Sequence, residues 1–206
     1  VNVIARMAGN LRYVKMRTSA SDWKPLEDSG YDMEVFPYLH KSDSLRGKSV
    51  VQFVHLIGCH TDYAQRYPNS HARFSSKDIS ASGDKKCIAD YVNSIYYNDD
   101  VVASIAEYYR EEKTILFYFS DHGESMFDVP DKPNFFGHGL ALKSNVEIPF
   151  MVYVSPKLRK EFPDLYERIV RYKDRPIVND LFTNSLLGLL GITSKYSNEK
   201  LEFFSD

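Results

Sequence analysis

Apolar positions along the chain fall into short unbroken runs and one longer helical repeat, and the two kinds of segment alternate. Residues 49–58, SVVQFVHLIG, form a dense apolar run closed by a glycine and predict a buried strand. Residues 114–120, TILFYFS, and 149–155, PFMVYVS, predict two more. Between the first two runs, Ile88, Tyr91, Val92, Ile95, Val102, Ile105 and Tyr109 recur at helical spacing. They predict a helix over 85–112, with Asn98-Asp99-Asp100 marking a bend or a break. A last helix is expected over 178–190, stopped by Gly191. Shorter elements are a strand over 11–16 and a helix over 32–39 that Pro37 limits. Residues 61–83 and 121–148 read as loops, and loops of such length in a compact domain are commonly functional or disordered. The order strand, helix, strand, loop, strand, helix predicts an α/β domain, an open sheet with helices on both faces. Ligands gather beyond the carboxyl ends of strands in such sheets, which directs attention to the residues after Gly58 and after Ser120.

Composition narrows the picture only in places. With 206 residues the chain can build one domain with a real core, or a large piece of a bigger one. Hydrophobic residues at 43% and charged residues at 26% argue against wholesale disorder. A net charge of -2 gives no case for a nucleic-acid partner. The 15 tyrosines and 13 phenylalanines fit a tyrosine-rich core and surface, or a nearby sugar or lipid headgroup. No run approaches the roughly 20 apolar residues of a membrane span. Val1-Asn2-Val3-Ile4-Ala5-Arg6 is no signal peptide, so a membrane anchor or export signal is expected outside this chain. Cys59 and Cys87 pair or stay free, and sequence does not choose.

The candidate chemistry follows the strand ends. Asp121 and His122 stand together in Ser-Asp-His-Gly-Glu-Ser after the 114–120 run, and can both reach one divalent cation. Gly123 is expected to let the backbone turn sharply there. The plainer alternative is Asp121 as a helix N-cap. His60 follows Gly58-Cys59, and His138 lies between Gly137 and Gly139, where packing offers little reason for a histidine. The remaining histidines read as ordinary: His40 ends a short helix, His55 lies in a strand, and His71 sits in a loop with no evident partner.

Several segments resemble the bacterial phosphoethanolamine transferases of the sulfatase and alkaline phosphatase superfamily. VVQFVHLIGCHTDYAQRYP resembles the family's apolar strand leading to Gly-Ser-His and a loop with Arg-Tyr-Pro, here Arg66, Tyr67 and Pro68. DYVNSIYYNDDVVASIAEYY resembles its tyrosine-rich helix, and FYFSDHGES its metal-binding strand end. FFGHGLALKSNVEIPFMVYVS is similar to its histidine loop and following strand, and DLFTNSLLGLLGI to its closing helix. The resemblance runs over most of residues 30–192, in the family's order.

It implies an alkaline-phosphatase-like open sheet, incomplete here, with residues 1–206 as the C-terminal part of a periplasmic catalytic domain. It makes Asp121 and His122 ligands of zinc or another divalent cation. His60 and His138 become catalytic and substrate-binding groups that contact the transferred phosphoryl group or a second metal. Glu124 supports the site from behind, and Arg66 and Tyr67 shape its substrate side. The implied reaction moves phosphoethanolamine from a phospholipid donor to an envelope glycolipid such as lipid A or lipopolysaccharide core. It takes place at the periplasmic face of the inner membrane, through an N-terminal anchor and with a zinc-activated threonine that becomes phosphorylated.

The chain departs from the family at two points. Gly58-Cys59-His60 stands where the family has Gly-Ser-His. Thr18, Ser19 and Ser21 lack the setting of a strand followed by a helix N-terminus, so the nucleophile is expected upstream of Val1. On that expectation the chain alone is inactive and, with two ligands, holds zinc weakly. A sulfatase or phosphodiesterase of the same superfamily is the alternative, although neither cysteine has the Cys/Ser-x-Pro-x-Arg setting of a sulfatase. A non-catalytic binding module with the fold retained is the second alternative.

Overall fold

The computed structural model describes residues 30–41, 49–139, 141–195 and 197–205. The strand expected over 11–16, Thr18, Ser19, Ser21 and the six N-terminal residues lie outside them. In chain order the regular elements are α1 (Lys85–Tyr108), β1 (Ile115–Phe119), β2 (Ser125–Met126), β3 (Phe136–Gly137), α2 (Lys143–Val146), β4 (Phe150–Val154), α3 (Pro156–Glu161), α4 (Pro163–Arg171) and α5 (Phe182–Leu189), with short 3-10 turns between. They fall into two units, Val1–Tyr108 with His122–Ile148, and Tyr109–Asp121 with Pro149–Asp206.

In the first unit α1 runs without the break expected at Asn98-Asp99-Asp100. Asp84 starts it by accepting from the backbone N–H groups of Lys86 and Cys87 at 2.9 and 3.1 Å. Its buried face holds Ile88, Ala89, Tyr97, Val101 and Ile105, but also Asn93, Ser94 and Asn98, while Ile95 is exposed. The polar members face inward because they hold the long loop against the helix. Asn93 Oδ1 accepts from Arg73 and Phe74 N–H, and its Nδ2 donates to Phe74 O. His71 lies against Asp100, with 3.2 Å between Nε2 and Oδ2. The segment 61–83 is therefore an ordered loop with 3-10 turns at Tyr63–Gln65 and Asn69–His71. Buried Tyr63, Tyr67 and Tyr97 give this unit the tyrosine-rich core expected from composition.

Residues 49–58 form no strand, contrary to the sequence reading. Val50, Val51, Phe53 and Val54 are exposed, Phe53 at 62%, and so is His55. A strand exists only by pairing with a neighbour about 4.8 Å away, and no described residues form a ladder with this segment. It is tied down by side chains instead. Gln52 exchanges two hydrogen bonds with the His40 backbone, and buried Asp32 accepts from Ile57 and Gly58 N–H at 3.0 and 2.8 Å. Burial raises the Asp32 carboxyl pKa, against the opposing pull of those two donors. Asp32 opens the short 3-10 helix Asp32–Tyr38, where a short helix is expected; Pro37 lies within it, and His40 lies just beyond. Asp32→Ala leaves both amides without their acceptor and is expected to lower stability by about 2 kcal/mol. Urea melts of the two chains check this; an unchanged midpoint would refute the anchoring role.

In the second unit β1 and β4 lie where strands were expected, and they pair antiparallel from Ile115↔Val154 to Phe119↔Phe150. The described residues show two antiparallel pairs, β1–β4 and β2–β3, as an incomplete α/β sheet would. The register brings the chain back at the end where it left, so everything between Asp121 and Pro149 is one excursion from that end. Ser155 caps α3, its Oγ accepting from Leu158 N–H, and Pro156 occupies the first helical turn. Val154, Leu158, Ile169, Leu189, Phe203 and Phe204 form the core, with Phe117 packed on Phe182 at 5.2 Å. α5 sits inside the range expected for the last helix, and Gly191 beyond it has φ +67°.

Candidate metal centre

The excursion begins with His122, Gly123 and Glu124. Gly123 N–H donates to Asn145 O at 2.9 Å, which sets this segment against α2. A Cβ at Gly123 would lie 2.2 Å from Ser144 O and 2.8 Å from Glu147 O, both backbone atoms. Its φ is not among the positive ones. Glycine is therefore required by close approach, not by the sharp turn expected from sequence.

The β2–β3 hairpin then fixes the partners. Ser125 stands opposite Gly137, so one step beyond the ladder the register sets Glu124 opposite His138. Gly137 and Gly139 take φ +100° and +104°, which is why the histidine between them is flanked by glycines. Buried Asn145 clamps this arrangement, its Nδ2 donating to Ser125 Oγ at 3.1 Å and to Gly137 O at 3.2 Å. Ser125 Oγ lies 2.8 Å from Ser144 Oγ.

Hydrogen bonds assign the imidazole protons. His138 Nδ1 lies 2.7 Å from Glu124 Oε1, and His122 Nδ1 lies 2.9 Å from Gly123 O. A carboxylate and a carbonyl can only accept, so both Nδ1 atoms carry hydrogen. In the neutral ring the lone pair then falls on Nε2, the atom that would bind a metal. The two rings are 3.9 Å apart between centroids. Ligating atoms of His122, Glu124 and His138 lie within 4.8 Å of one another. Two imidazoles and a carboxylate suit zinc or a similar divalent cation.

His60 comes to the same place, its ring 6.5 Å from that of His138. It follows Gly58 at φ +59° and is exposed. Arg66 is 5% exposed and donates to His60 O at 3.1 Å and Thr61 O at 2.9 Å, holding the His60 turn from inside. Asp62 within that turn adopts φ +66°, a conformation aspartate tolerates. Tyr67 is buried against α1, donating to Asp90 and accepting from Asn93. Arg66 and Tyr67 are thus engaged in supporting the loop. Asp121 belongs to the second unit, with the Ser120 hydroxyl 3.5 Å from its Oδ1.

Both cysteines are free. Burial pushes the Cys59 thiol up to about 11, which favours the uncharged thiol over the thiolate. The sequence reading missed Tyr63, whose hydroxyl donates to Glu124 Oε2 at 2.8 Å, and Asn145. Burial and the adjacent carboxylate push the Tyr63 phenol far above its ordinary range, so it remains a donor.

The chain is similar to several known proteins. The family model described as Sulfatase matches residues 4–192. The Kdo(2)-lipid A phosphoethanolamine 7''-transferase of Escherichia coli strain K12 is 35% identical over 116 residues, which are 54% of this chain and 20% of that protein. Phosphoethanolamine transferase EptC of the same strain is 33% identical over 118 residues, 53% of this chain and 20% of that protein. Phosphoethanolamine transferase EptA of Helicobacter pylori is 29% identical over 153 residues, 69% of this chain and 27% of that protein. The chain therefore spans about a fifth to a quarter of these relatives.

Among solved structures, the C-terminal periplasmic domain of EptC from Escherichia coli superposes with a TM-score of 0.71 at 20% identity, covering 93% of this chain and 60% of that one. A second structure of that domain, in complex with Zn, gives 0.69 at 23% identity over 89% of this chain and 53% of that one. The fold is shared with that alkaline-phosphatase-like domain. By the match over nearly its whole length, the chain belongs to the sulfatase family.

Proposed function

We propose that this chain is the C-terminal part of a phosphoethanolamine transferase domain, and that His122 and His138 present their Nε2 atoms to a zinc ion. The observation that carries this reading is the His122, Glu124 and His138 cluster, with both Nδ1 hydrogens already committed. The names of the relatives support the reaction, and the Zn complex of the EptC domain supports the cation.

In this reading Asp121 joins His122 as a ligand through its place in the chain and the family resemblance. His60, exposed and near His138, donates a hydrogen bond to an oxygen of the phosphoryl group. Glu124, behind His138, keeps that imidazole oriented. Zinc, when bound, supplies charge neutralisation at the phosphoryl oxygens and lowers the pKa of the attacking hydroxyl. The reaction takes phosphoethanolamine from a phospholipid donor through a nucleophilic threonine. The acceptor is an envelope glycolipid, lipid A or lipopolysaccharide core, at the periplasmic face of the inner membrane. No helix among the described residues is long and apolar enough to cross a membrane.

The sequence alone led to an expectation of weak zinc binding by this chain, from two ligands. With His138 joining Asp121 and His122 as a ligand, three groups replace two and that expectation changes. Titration calorimetry with Zn2+ should show one ion per chain with a dissociation constant of about micromolar order or tighter, reversed by a chelator. In the parent protein, transfer from labelled phosphatidylethanolamine to lipid A should stop on chelation and return with Zn2+. Transfer indifferent to chelation would overturn the metal reading, and metal-dependent release of free phosphoethanolamine alone would favour a hydrolase.

A further inference from the structure

Glu124 is the most enclosed member of the cluster, with 7% of its side chain accessible, while His122 and His138 retain 35% and 39%. Both of its oxygens are taken, Oε1 by His138 Nδ1 and Oε2 by the Tyr63 hydroxyl. A carboxylate rotates easily about its last torsion. His122 Nδ1 lies 3.7 Å from Oε1, so a small turn of the group would exchange one imidazole for the other.

The Tyr63 hydroxyl removes that freedom, and Tyr63 itself has no room to move. It is 3% exposed, with its ring edge-on to Tyr91 at 5.0 Å and to Phe136 at 6.4 Å. Phe136 is also the β3 residue that pairs with Met126, one step before Gly137 and His138. The same ring contact thus relates the Tyr63 turn to the strand that carries the histidine.

We infer that Tyr63 is a positioning residue of the metal centre: its hydroxyl locks the Glu124 carboxylate, which holds His138 in the Nδ1–H tautomer and leaves Nε2 for a divalent cation. The use of this relay rests on the metal reading above, whereas its geometry does not. Carboxylates behind metal-binding imidazoles fix their tautomer and raise their basicity, and their loss lowers metal affinity by about 10- to 100-fold. Tyr63 extends that support by one further group.

Tyr63→Phe separates this role from core filling, because it keeps the ring and deletes only the hydroxyl. In the isotopically labelled 206-residue chain, long-range nitrogen–proton spectra read the tautomer of each histidine. The native chain should show His138 protonated on Nδ1 alone, and Tyr63→Phe should show a mixture. His122, whose Nδ1 bonds Gly123 O, should keep its tautomer and so serves as the internal reference. Competition with a chromophoric chelator should show Zn2+ binding weakened by about 10-fold or more.

Unchanged His138 shifts together with Zn2+ affinity within roughly twofold of native would overturn the inference, because support of this kind is worth more. Should Tyr63→Phe fail to fold, Glu124→Gln carries the test. An amide at that position removes the purely accepting partner, and an unaltered His138 tautomer would again overturn it. If the native chain bound no Zn2+ the metal reading would fall, and the tautomer comparison alone would decide the role of Tyr63.

Discussion

His122→Ala in the full-length parent should lower phosphoethanolamine transfer by about three orders of magnitude or more while leaving the protein folded. The ring contributes little to any core, since its side chain is 35% exposed and it sits at the start of an excursion outside the strands. Its contribution to the reaction is large, because charge stabilisation by a bound cation is worth several kcal/mol and each 1.4 or so is about tenfold in rate. Zn2+ affinity should fall together with transfer. His55→Ala is the control. His55 is exposed and lies in no strand or helix, so its loss should change stability by about 0.5 kcal/mol or less, with transfer unaffected. Equal losses of activity in the two variants, at equal folded fraction, would mean that His122 has been misassigned.

Gly123→Ala should disrupt the same centre by a different route. The added methyl meets the carbonyl oxygens of Ser144 and Glu147, at 2.2 and 2.8 Å, and no rotamer change can move a backbone atom aside. Either α2 shifts, and with it the Asn145 clamp on Ser125 and Gly137, or the 122–124 segment moves off α2. Overpacking against backbone of this kind costs about 3 kcal/mol, which is about 10 °C in melting temperature for a chain of this size. The displacement should also weaken Zn2+ binding by about 100-fold, since His122 and Glu124 move away from His138. Calorimetric melting and Zn2+ titration of the same preparation check both effects. A native melting temperature with native affinity would show that the close approach is relieved at no cost.

The strands β1 and β4 were legible because short apolar runs bounded by turn residues carry their own signal. α1 was legible as a helix, but its buried face was not. Hydrophobic periodicity reports which side chains avoid water, and Asn93 and Ser94 are buried for a different reason, their bonds to backbone groups. α3 and α4 went unseen because both are polar for their length, although Ser155-Pro156 and Phe162-Pro163 hold proline at a helix start. The 49–58 run failed as a strand because apolar content says what a segment would bury, and pairing depends on residues elsewhere.

At the site, the glycines around His138 marked it out, and the left-handed backbone at both explains the signal. Tyr63 gave none. It lies 61 residues from Glu124, and one tyrosine among 15 is not distinguished by its neighbours in sequence. Gly123 was singled out for the wrong reason, because a close approach to another backbone leaves no local trace.

The exposed apolar run at 49–58 is expected to favour self-association of the protein in the test tube. Val50, Val51, Phe53 and Val54 present β-branched and aromatic side chains to solvent in a segment free of proline and low in charge, the composition that templates intermolecular β pairing. Light scattering and sedimentation at rising concentration should therefore show association that Val51→Lys reduces. Dilute stocks, or a lysine placed at Val51, are the practical remedy for crystallisation and spectroscopy, since one positive charge in the middle of the run breaks the template without touching the histidine cluster.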